Sequence, residues 1–104
     1  MTAAVELPGR TTVGERAVRR IAAAAAAEVD GVVPDVRVDA EVAGTSAGLR
    51  VRLPVRYPSP VARVAEQCRG HLIARVTELT GLAVPFVEIE VTALVAQTAQ
   101  RRVR

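Results

Sequence analysis

The sequence predicts an α+β fold, in which two helices cover one face of a small, mainly antiparallel sheet. Apolar residues recur at helical spacing in two segments, and they alternate with charged residues in three others. The segments follow in the order helix, strand, strand, helix, strand, with an optional short leading strand at residues 10–13, which can be written (β)αββαβ. Two packed layers are the economical arrangement, because each helix has one apolar stripe and each strand one apolar face.

The length of 104 residues is that of one small domain. Residues 1–8 have no clear period and lead to a Pro-Gly pair, so they are expected to form a flexible leader. Residues 9–96 form the single α+β domain in this interpretation, and residues 97–104 form a basic C-terminal tail.

The first helix is expected to begin near Thr12, because Thr12 and Glu15 have the spacing of a capping box. It should end at about Asp30, where Gly31 can adopt the left-handed conformation that closes many helices. The predicted inward residues are Val18, Ile21, Ala22, Ala25 and Val29. The charge-free run Ile21–Ala27 contains six alanines and is far shorter than the ~20 residues of a membrane-spanning helix, so no membrane insertion is expected.

Two strands that form a hairpin are predicted next. Residues 36–42 and 49–57 alternate between apolar and mostly charged side chains, and residues 43–48 between them form a turn. In this hairpin Arg50 and Arg52 are expected to face Glu41 and Asp39. Pro54 falls at an outward position and lacks an N–H group, which indicates an edge strand or a bulge.

The second helix is predicted to follow Ser59 as N-cap, with Pro60 at the first helical position and Gly81 at the end. Its expected apolar stripe consists of Val61, Val64, Ala65, Cys68, Leu72, Val76 and Leu79. A last strand follows Pro85, with the predicted inward residues Val87, Ile89, Val91, Ala93 and Val95.

No catalytic, cofactor-binding or metal-binding residues can be assigned from the sequence. Cys68 and His71 lie three residues apart on the second helix, but the chain has no other cysteine or histidine to complete a metal site or a catalytic group. Cys68 is better explained as a small buried apolar residue, and Glu88 and Glu90 as a solvated strand face. We therefore expect a protein that is not an enzyme and needs no cofactor.

Two surfaces are candidates for association with a partner. The back of the second helix carries the small or apolar residues Gly70, Ile73, Ala74 and Thr77, a candidate self-association surface. A tolerated surface glycine explains Gly70 equally well, although glycine costs about 1 kcal/mol relative to alanine within a helix. The strand residues Arg50, Arg52 and Arg56 are a candidate basic partner surface, and charge pairing across the hairpin is the simpler explanation for them.

The charge balance does not favour a nucleic-acid binder. The chain has 14 basic and 11 acidic residues and a net charge of only +3, whereas nucleic-acid binders more often cluster unneutralised basic residues on one face. A small RNA- or ribosome-associated α+β module nevertheless stays open as the alternative function, because of the strand arginines and the tail residues Arg101, Arg102 and Arg104.

Three segments together resemble the alkaline-shock protein family, also called the envelope stress response family. They are "GRTTV" at 9–13, "IAAAAAAEVDGV" at 21–32, and "GLRVRLPVRYPSPVARVAEQCRGHLIARVTELTGLAVPFVEIEV" at 48–91. The strongest pieces are residues 28–32 and the Thr80-Gly81-Leu82 run with the apolar alternation that follows it. The resemblance covers about residues 9–95 and depends on the order and spacing of these pieces, since none of them is a catalytic motif.

The resemblance implies a non-enzymatic scaffold protein of bacterial cell-envelope homeostasis and stress response. Such a protein is expected to be cytoplasmic, to self-associate into homo-oligomers, and to be recruited to the inner face of the cell membrane by a small membrane-anchored partner. Nucleic acid is not an expected partner under this interpretation. An enzyme built around Cys68 and His71 is a distant third hypothesis.

Overall fold

The computed structural model describes the backbone of residues 2–96 and the side chains of residues 14–96. The chain forms helix α1 (Thr2–Ala27), strand β1 (Arg37–Ala43), strand β2 (Ser46–Tyr57), helix α2 (Val61–Thr80) and strand β3 (Ala83–Ala96). The predicted α+β class and the order αββαβ are confirmed. The predicted tail, residues 97–104, lies outside the described residues.

The sheet is mixed rather than mainly antiparallel. Its strand order is β1-β2-β3, with β1 antiparallel to β2 and β2 parallel to β3. The parallel pair follows from the chain path, because α2 carries the chain back along the sheet so that β3 can lie beside β2 in the same direction. The central position of β2 corrects one expectation for Pro54, since this residue is buried in the central strand and not at an edge.

The core lies between the sheet and the two helices. α1 packs over β1, α2 packs over β3, and the helices contact each other. The buried apolar residues are Val18, Ala22, Ala25, Ala26, Val32, Ala47, Leu49, Val51, Leu53, Val55, Val64, Cys68, Leu72, Val76, Val84 and Val87. Three of the four alanines in this set, Ala22, Ala25 and Ala26, belong to α1 and leave it with a thin inner face, so the helix can lie close to its neighbours.

Helix α1 begins ten residues before the predicted start at Thr12, so residues 2–8 of the predicted leader and the optional leading strand at residues 10–13 are helical. The predicted capping box is wrong, because the Glu15 carboxylate accepts a hydrogen bond from the Val42 backbone N–H of β1 at 3.2 Å. The end of the helix is close to the prediction. Gly31 has φ +98°, the left-handed conformation expected of it, and its carbonyl accepts a hydrogen bond from the Arg56 N–H at 2.7 Å.

The hairpin between β1 and β2 is confirmed, but its register is not the predicted one. The turn is only Gly44-Thr45, and the strands pair Asp39 with Arg50 and Arg37 with Arg52. A shorter turn moves every cross-strand pair by two residues. Arg50 therefore lies between Asp39 on β1 and Glu88 on β3, and its Nε is 3.3 Å from a Glu88 carboxylate oxygen.

Helix α2 buries Val64, Cys68, Leu72 and Val76 of its predicted stripe. Pro60, not Ser59, occupies the N-cap, and no side chain caps this end, so the predicted serine cap is wrong. Gly81 ends the helix as predicted, with φ +79° and its N–H donating to the Thr77 carbonyl at 2.8 Å.

The pairing of β2 with β3 contains a bulge beside Pro54, which is one of the two features predicted for that position. Leu53 pairs with Val91 and Pro54 pairs with Ala93, so Thr92 is an extra residue in β3. The bulge reverses the alternation after Thr92, because Leu94 now pairs with the buried Val55 and lies on the helix side of the sheet. The predicted inward positions Ala93 and Val95 are therefore wrong, and both are exposed.

Candidate functional surfaces

The sheet face that points away from the helices carries charges of both signs. Arg37, Asp39 and Glu41 project from β1, Arg50 and Arg52 from β2, and Glu88 and Glu90 from β3, and all are exposed. A shallow depression of about 450 Å³ lies among five of these side chains and Val51. Because guanidinium groups and carboxylates alternate across this face, it presents no continuous basic surface to an anion.

The predicted basic surface is therefore divided. Arg50 and Arg52 lie on this charged face beside Glu88 and Glu90 respectively, whereas Arg56 is half-buried beyond the β3 bulge and pairs with Val95. The structure brings Arg50 and Arg52 together on one face and separates Arg56 from them.

The predicted self-association surface lies on the outer side of α2. Gly70, Ile73, Ala74 and Thr77 are all exposed, with Ile73 at 36%. No atom lies within 4 Å of the position that a Cβ would take at Gly70. Packing inside the described part of the chain therefore does not require a glycine here.

Cys68 and His71 do not form a reactive pair in this structure. Cys68 is fully buried in the core, and burial raises the pKa of its thiol to about 11, because the thiolate would have to form away from water. His71 lies on the side of α2 that faces α1, where its Nε2 is 2.7 Å from a carboxylate oxygen of Glu28. This hydrogen bond is the main cause that lowers the pKa of Glu28.

Strand β3 exposes an apolar segment that the sequence analysis missed. Leu94 is 54% exposed and Val95 is 37% exposed, and they lie beside the end of β2, where Tyr57 is also exposed. Val61 at the start of α2 adds a further exposed apolar side chain to the same end of the molecule. The apolar alternation predicted burial for this part of β3, but the helix layer does not cover it.

Among the described residues, no three histidine, cysteine, aspartate or glutamate side chains are grouped in a way that could hold a metal ion. Nor does that part of the chain contain a helix with the length and apolar character needed to cross a membrane.

Comparison with known proteins shows a likeness in fold. Three of the similar solved structures are variants of the MamM CTD. One has a TM-score of 0.56 at 19% identity, covering 75% of this chain and 95% of that chain. A second has a TM-score of 0.58 at 18% identity, covering 75% and 90%, and a third, described as a zinc form, has a TM-score of 0.52 at 20% identity, covering 79% and 85%. No protein-family model and no curated protein matches the chain.

Proposed function

We propose that this protein is a non-enzymatic scaffold similar to the alkaline-shock protein family, which self-associates and is held at the inner face of the bacterial cell membrane by a small membrane-anchored partner. It would work in the cytoplasm, need no cofactor, and contribute to envelope homeostasis under stress. The sequence resemblance supports the family assignment, and the surface of β3 supports self-association.

The observation that carries the proposal is the open side of β3. This strand lies at the edge of the sheet, and among residues 2–96 no strand pairs with its outer side. Its last residues are apolar and exposed, and the side chain of Leu94 is 54% exposed. Edge strands of monomeric proteins are normally protected by charges, prolines or covering segments, so an apolar edge favours pairing with another chain.

A non-enzymatic role agrees with the surroundings of Cys68 and His71, the two side chains considered as a catalytic pair. The Cys68 thiol has a pKa of about 11 and no contact with solvent, so it is not available as a nucleophile near neutral pH. His71 is engaged by Glu28 rather than by Cys68.

Light scattering coupled to size exclusion over a wide concentration range tests self-association. We expect a mass above that of the 11.0 kDa monomer which rises with concentration. A strict monomer at the highest concentration would contradict the scaffold proposal.

Crosslinking in cells followed by membrane fractionation tests recruitment. We expect the protein to sediment with membranes and to crosslink to one small membrane protein. Deleting the gene of that protein should release the chain to the soluble fraction. Recovery only in the soluble fraction, with no crosslinked membrane protein, would count against an anchor.

The RNA-binding alternative has less support from the structure, because acidic side chains interrupt the arginines of the sheet face. Binding to mixed oligonucleotides at low salt, with the affinity falling steeply as salt is added, would favour that alternative over the scaffold.

A further inference from the structure

We infer that β3 pairs with β3 of a second copy of this chain, antiparallel and around a two-fold axis between Val91 and Thr92, which joins the two three-stranded sheets into one. This inference rests on the proposed self-association and specifies its geometry. It states which strand pairs with the open edge of β3, in which direction, and in which register.

The backbone geometry defines which residues offer hydrogen bonds at this edge. On the far side of β2, the Pro54 carbonyl and the Arg56 N–H bond to Val33 and Gly31, so these two residues direct their peptide groups away from β3. Alternation along β2 then directs the groups of Val51 and Leu53 toward β3, where their partners are the N–H and carbonyl groups of the residues next to Ile89 and Val91. Ile89 and Val91 themselves are left with their peptide groups pointing outward.

The Arg69 side chain gives independent evidence that alternate residues of β3 direct their peptide groups to the outer edge. Its Nη1 donates to the Val87 carbonyl at 3.2 Å, so Val87 also directs its carbonyl to the outer edge. A charged side chain thereby occupies the beginning of the edge, as is usual for protected edge strands. The open part starts at Ile89 and continues past the bulge to Leu94.

The charge pattern selects the direction of pairing. A parallel, in-register pair would place Glu88 opposite Glu88 and Glu90 opposite Glu90, and like charges directly opposite each other are destabilising. An antiparallel pair places the acidic half of each strand beside the apolar half of the other. The partner's apolar half also has Arg56 one strand further in, next to Val95, so the glutamates approach a basic group.

The bulge restricts the register. Before Thr92 the glutamates lie on the outer face and Ile89 on the helix side, whereas after it Ala93 and Val95 lie on the outer face and Leu94 on the helix side. Residues that face each other across two strands must lie on the same side of the sheet. An axis between Val91 and Thr92 meets this condition for Glu88 with Val95, Ile89 with Leu94, and Glu90 with Ala93, and leaves only Val91 and Thr92, at the bulge itself, on opposite sides. An axis between Thr92 and Ala93 also meets it but carries Glu88 past the end of the partner strand; an Ala93→Cys variant that crosslinks alone would indicate that register.

Directed disulfide formation tests this register. Glu90 and Ala93 direct their peptide groups toward β2, so in the dimer they form a non-hydrogen-bonded pair with Cα atoms about 4.5 Å apart, within the range of a disulfide. Glu90→Cys and Ala93→Cys variants, mixed, allowed to exchange and then oxidised, should give a crosslinked dimer. Each variant alone should give far less, because the same residue in the two copies is then about 10 Å apart along the strand. Wild type, whose only cysteine is the buried Cys68, is the control.

A pair of lysine variants tests the same edge without cysteines. Leu94→Lys places a charge against Ile89 of the second copy and should raise the dimer dissociation constant about tenfold or more. Leu79→Lys is the matched control, since Leu79 is 52% exposed but lies at the C-terminal end of α2, and it should leave the dissociation constant unchanged.

The following results would overturn the inference. If Glu90→Cys alone crosslinks as well as the mixture, the strands pair in parallel. If light scattering shows an oligomer but neither the crosslink nor the lysine effect appears, self-association uses another surface and the proposed function survives; a monomer removes both proposals. If the crosslink appears only after the chain is shortened to end at Ala96, residues 97–104 occupy the edge in the full chain.

Discussion

At the scale of single residues, Cys68 shows how burial decides chemistry. The thiol lies in the middle of the α2 stripe with no exposed surface, and its pKa is raised to about 11 by loss of solvation. Since the thiolate is the reactive form, the position contributes packing and little reactivity.

We therefore expect native protein at neutral pH to resist a chromogenic disulfide reagent, with labelling no faster than unfolding. Protein in denaturant should be labelled at once and in full, which is the control for reagent and thiol content. Rapid labelling of the native protein would mean that Cys68 is accessible and would reopen the enzyme hypothesis.

Gly31 is the residue at which backbone conformation and packing act together. It has φ +98°, and a Cβ built there would lie 2.8 Å from a Val64 methyl group and 3.3 Å from the Ser59 hydroxyl oxygen. The glycine thus allows the end of α1 to approach the start of α2.

Gly31→Ala should lower the free energy of unfolding more than Gly81→Ala does. Both positions have positive φ, so each alanine costs about 1–2 kcal/mol of backbone strain, but nothing lies within 4 Å of a Cβ at Gly81. The difference between the two variants, measured by urea unfolding, reports the crowding of the new methyl group against Val64 and Ser59. Equal losses would show that the side chain of Val64 moves aside without cost.

At the scale of elements, a solvent-exposed hydrogen bond to a carboxylate joins the segment just after α1 to helix α2. Glu28 and His71 meet at 2.7 Å, and this bond lowers the pKa of Glu28. Folding therefore favours the ionised carboxylate, and the resulting stability is present above the unfolded pKa and lost as the pH falls through the folded pKa.

Glu28→Gln should reduce stability slightly at neutral pH, and the difference from wild type should disappear as the pH falls below the ordinary range of a glutamate carboxyl. Urea unfolding at several pH values measures this. Glu66→Gln, a change at an exposed position of α2, is the control and should show no such convergence. A difference that persists in acid would mean that the loss at neutral pH has another cause.

The elements themselves were predictable because their periods are local. The middle of the α2 stripe, the alternation of β1 and β2, and the left-handed glycines Gly31 and Gly81 all depend on residues a few positions apart, and the structure confirms them. Val61 and Leu79, at the two ends of the predicted stripe, are exposed instead. Non-local contacts decide the remainder. Glu15 bonds to Val42 instead of capping a helix, and the placement of β3 parallel to β2 depends on how α2 crosses the sheet.

The candidate surfaces also divide into features that depend on local sequence and features that depend on non-local contacts. The exposure of the outer α2 residues followed from helical spacing, and the structure places them as predicted. The apolar edge of β3 was not predictable, because an alternating strand is indistinguishable in sequence whether or not a helix covers it. The extra residue Thr92, which turns Leu94 to the helix side, becomes visible only when β2 and β3 are paired.

At the scale of the whole molecule, a two-fold pairing through β3 closes at a dimer. A scaffold that grows further needs a second surface on each copy. The outer side of α2 is our candidate, because it carries exposed small residues on the side of the helix away from its buried stripe.

Gly70→Ala tests that second surface. In the monomer the change should raise the free energy of unfolding by about 1 kcal/mol, since alanine is the better helix former and no atom lies within 4 Å of the new methyl group. If α2 packs closely against another copy, the same methyl group should leave dimers intact but reduce the larger species seen by light scattering. An unchanged distribution of species would remove α2 from the assembly.

The two-residue turn between β1 and β2 offers a practical route to following the protein in cells. Gly44 and Thr45 lie at the end of the sheet opposite Leu94 and Val95, and a Cβ at Gly44 would meet no atom within 4 Å. A short epitope or dye-binding peptide inserted between these two residues would leave the β3 edge uncovered. Such a tagged chain would report where assembly occurs without taking part in it.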